Sequence, residues 1–185
     1  MLIQHTAGIP FPIDDVYSAF LLRMDELPPW LPGIQRIDIT RFEKPSAHTA
    51  QVDYKWLVQK TVVPSLLRPF LRDNMDHIRS TTRWCAQRRI VEFEFFHDDY
   101  REWFDCYGTF ALVEAGHNSM RIDIHAELLP YPERVPGLPR WLAQKGLPLI
   151  EGVIGDIIKP SLLALPAALQ TIVGRPDLML KGGRS

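Results

Sequence analysis

The stretch MRIDIHAEL at residues 120–128 alternates between apolar and polar side chains at every position. Successive side chains of a β-strand point to opposite faces of the sheet. The alternation therefore predicts a strand with one buried face and one wet face, which is typical of an antiparallel sheet.

The same period of two recurs through most of the chain between Ile34 and Leu129, with turn-forming residues between the runs. The further runs cover residues 36–40, 51–58, 77–84 and 91–95. Residues 103–114 form a less regular strand, since both of its faces carry apolar groups. Residues 2–9 add a first strand, so we expect a seven-stranded sheet.

Helical patterns flank these strands on both sides. Asp14 can cap a helix whose apolar stripe includes Phe20 and Met24, and the prolines at 28 and 29 end it before a short helical turn. A long helix is expected near the C-terminus, after a proline-rich lead-in at 130–148. Its apolar side carries Ile150, Val153, Ile154, Ile157 and Ile158, with Glu151, Gly155 and Lys159 roughly opposite.

Length and composition indicate one soluble domain at residues 1–173, followed by a flexible tail at 174–185. Of the 185 residues, 46% are hydrophobic, and the net charge of −1 gives no field that favours nucleic acid. The sequence shows no secretory signal and no membrane span. Two cysteines do not make a disulfide framework, which favours a cytoplasmic location.

The stretches IDDVY at 13–17 and LPPWLPGI at 27–34 resemble the opening of the START-related, birch-allergen-like (SRPBCC) superfamily. The resemblance extends in element order over residues 1–173. It implies an α+β helix-grip fold with the order β-α-α-β6-α, in which a curved seven-stranded antiparallel sheet wraps around the C-terminal helix. It also implies lipid, sterol, quinone or polyketide ligands, but it supplies no catalytic residues.

A strongly curved sheet is not filled by one helix, so large side chains or a ligand must occupy the remaining space. Aromatic residues with a few hydroxyls suit an apolar pocket that has a small number of orienting polar groups. The predicted ligand-binding residues are Tyr54, Trp56, Ser80, Thr82, Trp84, Phe93 and Phe95 on the strands and Ile154 and Ile157 on the helix. No cofactor is expected.

Ser80 and Thr82 are the informative pair, because a buried hydroxyl without a partner costs about 1–3 kcal/mol. A ligand or a trapped water could satisfy them. Alternatively, the hydroxyls bond to each other across strands or to the backbone.

No catalytic set is identifiable, and the six histidines lack the spacing of metal ligands. Asp105 and Tyr107 could supply a pocket acid if their face points inward. The opposite face, with Phe104, Cys106 and Phe110 among its residues, is more apolar and is the preferred inward face. We therefore expect a binder or carrier of a hydrophobic molecule. The alternative is an enzyme of the polyketide cyclase or dehydratase type.

Residues 61–75 interrupt the strand pattern with two prolines and several leucines among arginines. The segment is interpreted as a lid over the pocket. A transient membrane contact through the same segment is the less favoured alternative. Neither the ligand nor the oligomeric state can be named from the sequence.

Overall fold

The structure, a computed structural model, describes residues 1–59, 77–96, 104–134 and 140–175, without the side chains of 132, 140–151, 153, 154 and 157. Its strands are β1 Leu2–Ile9, β2 Ile34–Ser46, β3 Thr49–Val58, β4 His77–Cys85, β5 Ile90–Phe96, β6 Phe104–Gly116 and β7 Ser119–Pro130. Its α-helices are α1 Ile13–Leu22 and α2 Arg140–Val173. The predicted lid at 61–75 and the tail from 176 onward lie outside the described residues.

The strands form one antiparallel sheet in the order β1-β7-β6-β5-β4-β3-β2. Strands β2 to β7 pair consecutively as a meander, and β1 closes the order by pairing with β7. Helix α2 packs against β7, β1 and α1. The predicted curved, seven-stranded helix-grip fold is confirmed.

Helix α1 ends at Leu22, so Met24 of its predicted stripe lies in a 3-10 turn, Met24–Glu26, and the short helix predicted next is a second 3-10 turn, Pro28–Trp30. Asp14 lies in the first turn of α1 and does not cap it, because the N-cap residue is Pro12. The prolines at 28 and 29 lack the amide hydrogen that a longer helix needs. Gly33 then reverses the chain into β2 with a φ of 76°, a left-handed conformation that favours glycine.

The alternation assigned the faces of the sheet correctly along most strands. On β3, β5 and β7 the apolar positions of the pattern are buried and the intervening positions are more exposed. On β4 the inward positions Ser80, Thr82 and Trp84 are buried and Ile78 is half-buried. On β6 the preferred alternative holds, because Phe104, Cys106 and Phe110 are buried whereas Asp105 and Tyr107 are exposed.

Strand β2 departs from its pattern. Ile39 was expected to share the buried face of Ile37, but 40% of its surface is exposed. The pairing of β2 with β3 shifts register between Ile34 and Arg36 and again between Ile39 and Arg41. No shift separates Ile37 from Ile39, which pair in continuous register with the buried residues Trp56 and Tyr54. The alternation therefore gave Ile39 the correct face, and its exposure belongs to its place on the edge strand.

Helix α2 begins at Arg140, inside the segment that was predicted to be a lead-in up to residue 148. The helix starts directly after Pro139 and continues through Pro148, which the sequence reasoning had treated as a boundary. Its described buried side is a stripe of apolar residues at spacings of three and four: Ile158, Leu162, Leu165, Leu169 and Ile172.

Gly155 corrects the predicted orientation of this helix. It was placed opposite the apolar side, but it is buried. A Cβ added there would lie 2.8 Å from the Cε atom of Met1, so the glycine makes room for the start of β1. Of the predicted apolar side only Ile158 is described, and it is buried. The side chains of Ile154 and Ile157 lie outside the description.

Candidate functional site

A cavity of about 40 Å³ lies where the concave sheet face, α1 and α2 meet. Its lining is almost entirely apolar, with hydroxyls as the polar exceptions. The lining residues are Phe20, Met24, Leu31, Ile34, Trp56, Ile78, Ser80, Thr82, Phe93, Phe95, Phe110, Ile158, Ser161, Leu162 and Leu165.

Five of the predicted ligand-binding residues line this cavity: Trp56, Ser80, Thr82, Phe93 and Phe95. Tyr54 and Trp84 are buried on the same face of the sheet but are not part of the lining. The structure therefore brings the centre of the predicted set together and places its two remaining strand residues in the surrounding core.

The sequence reasoning missed most of the wall contributed by the helices. Phe20 and Met24 had been recognised only as an apolar helical stripe, although the spacing of that stripe could have suggested a second wall. Leu162 and Leu165 follow the spacing of the C-terminal helix beyond Ile158, the last residue of the predicted apolar side.

The cavity borders a continuous series of aromatic rings in edge-to-face and stacked contact. The ring of Phe93 lies 4.5 Å from Phe110 and 5.5 Å from Phe95, and Phe95 lies 5.3 Å from Trp56. Such pairs hold their rings in defined orientations. The rings thus shape a wall of fixed geometry on the sheet side.

Gly108 makes room for this wall. It pairs with Phe93 on β5 and with Ala126 on β7. A Cβ at residue 108 would lie 2.7 Å from the Phe93 ring and would also meet the carbonyl oxygen of His125. The Phe93 ring therefore lies over a position that only glycine leaves open.

Two indole–hydroxyl pairs occur along β4. The indole N–H of Trp56 donates to Ser80 Oγ at 2.8 Å, and that of Trp84 donates to Thr82 Oγ1 at the same distance. Thr82 in turn donates to the backbone carbonyl of Val52 at 3.2 Å. Thr82 therefore bonds to the backbone, as the second alternative expected, whereas Ser80 bonds to a tryptophan, which neither alternative had named.

The buried hydroxyl of Tyr54 has no hydrogen-bond partner among the residues that the structure describes. Burial raises the pKa of this phenol above its usual value, and the neighbouring Thr82 hydroxyl opposes the shift by a smaller amount. The phenol is therefore neutral, with a proton available to an acceptor.

Two hydrogen bonds hold α2 over the cavity. Ser161 Oγ donates to the carbonyl oxygen of Pro32 at 2.9 Å. The buried Arg23 donates to the carbonyl oxygen of Ile172 at 3.0 Å and also pairs with Glu26 at 2.7 Å. The helix is thus fastened to the segment between α1 and β2, which supplies part of the lining.

The polar residues that could have formed an acid–base site lie on the outer face of the sheet. Asp105 accepts a hydrogen bond from the hydroxyl of Tyr131 at 2.9 Å, and Tyr107 donates to Glu127 at 2.8 Å. Cys106 is buried on the inner face, where burial raises the pKa of its thiol to about 12. Within the described chain, no cluster of three metal-ligating side chains occurs.

The volume of the cavity limits what enters it without rearrangement. About 10–15 Å³ suffices for one water, so 40 Å³ holds a few water molecules. Pockets for small organic ligands measure roughly 300–1,000 Å³. An organic ligand therefore requires the lining side chains to move apart. Met24 is suited to this because its side chain has three rotatable bonds.

The sheet, the helix that it grips and the cavity between them define the class of structure. The chain has the START-related, birch-allergen-like helix-grip fold. No protein-family model matches the sequence, and no curated protein matches it either. None of the described helices is long and apolar enough to cross a membrane.

Several solved structures share this fold. The ZhuI aromatase/cyclase from Streptomyces sp. R1128 is 12% identical with a TM-score of 0.63, covering 95% of this chain and 94% of its own. Norcoclaurine synthase from Thalictrum flavum is 16% identical with a TM-score of 0.55, covering 95% and 87%. It is also known in complex with dopamine and hydroxybenzaldehyde.

A START superfamily protein from Mycobacterium smegmatis is 11% identical to this chain with a TM-score of 0.52. That match covers 92% of this chain and 98% of the other. At identities this low, the three likenesses establish the fold and not the chemistry.

Proposed function

We propose that this protein binds an apolar small molecule between its concave sheet and α2. The main support for this proposal is the cavity itself, which has an aromatic wall on the sheet side and an aliphatic wall on the helix side. Apolar pockets with a few placed polar groups are the usual form of small-molecule sites. A lipid, a quinone or a polyketide-like compound fits this description.

The structural relatives support the proposal at the level of the fold. Norcoclaurine synthase is seen with aromatic molecules, and the ZhuI protein is an aromatase/cyclase. Two of the three relatives are thus associated with ring compounds or their formation. From these relatives, only the binding of an apolar molecule is proposed for this protein.

Binding is preferred to catalysis because of the side chains on the wall. None of the described lining residues carries a carboxylate, an imidazole or an amine. General acid–base chemistry on a substrate needs such a group within hydrogen-bond reach. The alternative, a cyclase or dehydratase, would have to draw its acid or base from another part of the chain.

We further propose a cytoplasmic location. Cys85 and Cys106 are both free. Cys106 is buried on the inner face of the sheet, whereas Cys85 is partly exposed on the other face. Two unpaired thiols are ordinary in a reducing compartment and uncommon in secreted domains.

The neutral fluorophore N-phenyl-1-naphthylamine tests the binding proposal, because its emission rises on transfer to an apolar site. We expect saturable binding to the wild-type protein. Leu165→Phe adds volume to the cavity wall and should weaken binding about tenfold, since overpacking costs roughly 1–3 kcal/mol.

Leu163→Phe is the matched control. It makes the same change two residues away on α2, at a side chain that is 36% exposed and does not line the cavity. Its affinity should equal that of the wild type. Equal weakening by both variants, or no saturable binding to the wild type, would count against the proposed site.

A further inference from the structure

The hydroxyls that line the cavity differ in where their protons go. Thr82 donates to the carbonyl oxygen of Val52, and Ser161 donates to that of Pro32. Ser80 accepts the indole N–H of Trp56. No acceptor for the proton of Ser80 occurs among the residues that the structure describes. Ser80 is therefore the lining hydroxyl with a donor to spare.

The lining also selects for the charge of the ligand that can bind. Every described lining residue is neutral, so an ionised group on a ligand would lose its hydration without a countercharge. The cavity therefore favours an uncharged molecule. Its aromatic wall, with Phe93, Phe95 and Trp56 in contact, presents ring edges and faces that suit a flat ring system.

A second buried donor belongs to the residue that pairs with Ser80 in the sheet, although that residue does not line the cavity. Tyr54 pairs directly with Ser80 across β3 and β4, and within the described parts of the chain its fully buried hydroxyl has no hydrogen-bond partner. A buried donor without an acceptor is destabilising, so native proteins seldom leave one unsatisfied. Two donors in want of an acceptor thus occupy adjacent positions on one patch of the concave face.

We infer that the ligand is an uncharged ring compound bearing a carbonyl oxygen, and that Ser80 donates a hydrogen bond to this oxygen. The inference rests on the proposed function, because it requires the ligand to occupy the cavity. A carbonyl oxygen offers two lone pairs and no proton, which complements the spare donor of Ser80 on the cavity wall.

The test compares 1-tetralone with tetralin, a pair that differs by one carbonyl oxygen on the same ring system. Isothermal titration calorimetry gives both dissociation constants for the wild type and for Ser80→Ala. The ratio of the two constants cancels the different hydration of the probes. We expect Ser80→Ala to shift this ratio about fivefold against the ketone, the effect of one ordinary hydrogen bond.

Thr82→Val is the matched control. Like Ser80→Ala it removes the acceptor of a tryptophan N–H from the same strand, but the proton of Thr82 is already bonded to Val52. It should change both affinities together and leave the ratio as in the wild type. A ratio that shifts equally in both variants overturns the inference.

Infrared spectroscopy of the wild type gives an independent answer should Ser80→Ala fail to fold. The carbonyl stretch of bound 1-tetralone should move to lower frequency than in an alkane solvent, and an unshifted band overturns the inference. Binding of both probes with an unchanged ratio in Ser80→Ala overturns the inference alone. Failure of both probes to bind the wild type overturns the proposed function as well.

Discussion

Trp84 and Trp56 lie on the same concave face, yet only Trp56 lines the cavity between the sheet and α2. Both are buried, and each donates its indole N–H to a hydroxyl of β4 at 2.8 Å. The ring of Trp84 meets Phe20 at 4.9 Å and Tyr17 at 5.3 Å, both from α1. Trp56 contacts Phe95 and Tyr54 on the sheet and lines the cavity.

The difference between the two tryptophans shows which elements fill the space on the concave side of the sheet. Helix α1 covers the end of the sheet that contains Trp84, where the rings of Tyr17 and Phe20 complete the packing, and Phe20 also borders the cavity. At the end that contains Trp56, α2 contributes aliphatic side chains and leaves space. We call these the packed end and the open end. The proposed function assigns ligand binding to the open end and stability to the packed end.

The largest expected effect separates the two ends directly. Trp84→Ala should lower the free energy of unfolding by about 3–5 kcal/mol, the usual loss for a large aromatic side chain in a packed core. Trp56→Ala should cost at least about 1 kcal/mol less, because its ring already borders a void. Chemical denaturation of both variants measures the difference in the free energy of unfolding. Equal losses in the two variants would show that the packed end and the open end do not differ.

An intermediate effect is expected at Gly108, beneath the Phe93 ring. Gly108→Ala should destabilise the protein by about 1–3 kcal/mol, because the new methyl group meets the ring and the backbone of β7. Gly8→Ala on β1 is the control, since nothing lies within 4 Å of an added Cβ. It should be neutral or stabilising. The unfolding temperatures of the two variants measure this difference. If Gly108→Ala unfolds at the wild-type temperature, the Phe93 ring is not held over residue 108.

The smallest effect concerns the unsatisfied phenol at the open end. Tyr54→Phe should leave stability unchanged or raise it by about 1 kcal/mol, because it removes a buried hydroxyl without a partner. Denaturation of the ligand-free protein checks this. A clear loss of stability would reveal an acceptor for Tyr54 and would weaken the case for a spare donor beside Ser80.

Much of the open end could be predicted from the sequence, because strand alternation is a local property. Trp56, Ser80 and Phe93 were placed on the inner face from parity alone, and the structure lines the cavity with them. Parity does not determine what lies opposite an inward side chain. For this reason Trp84 and Trp56 looked equivalent in the sequence.

The remaining features depend on contacts between distant parts of the chain. Ile39 is exposed although it shares the inner face with Ile37, because it lies on the edge strand β2, and no alternation pattern displays the order of the strands. The hydrogen bond from Arg23 to the carbonyl of Ile172 spans 149 residues. Helix α2 continues past Pro160 because tertiary packing can sustain a helix that intrinsic propensity disfavours. Its wall residues Leu162 and Leu165 were missed for that reason.

The central claim is that a small molecule enters the open end, between the sheet and α2. Methyl NMR of the wild type during titration with N-phenyl-1-naphthylamine tests it most directly. The account predicts saturable shifts at lining methyls such as Met24, Ile78 and Leu165, with little change at Ile9 and Ile172 in the core beyond the cavity. Saturable shifts confined to methyls outside the lining, or no saturable shifts at all, would contradict it.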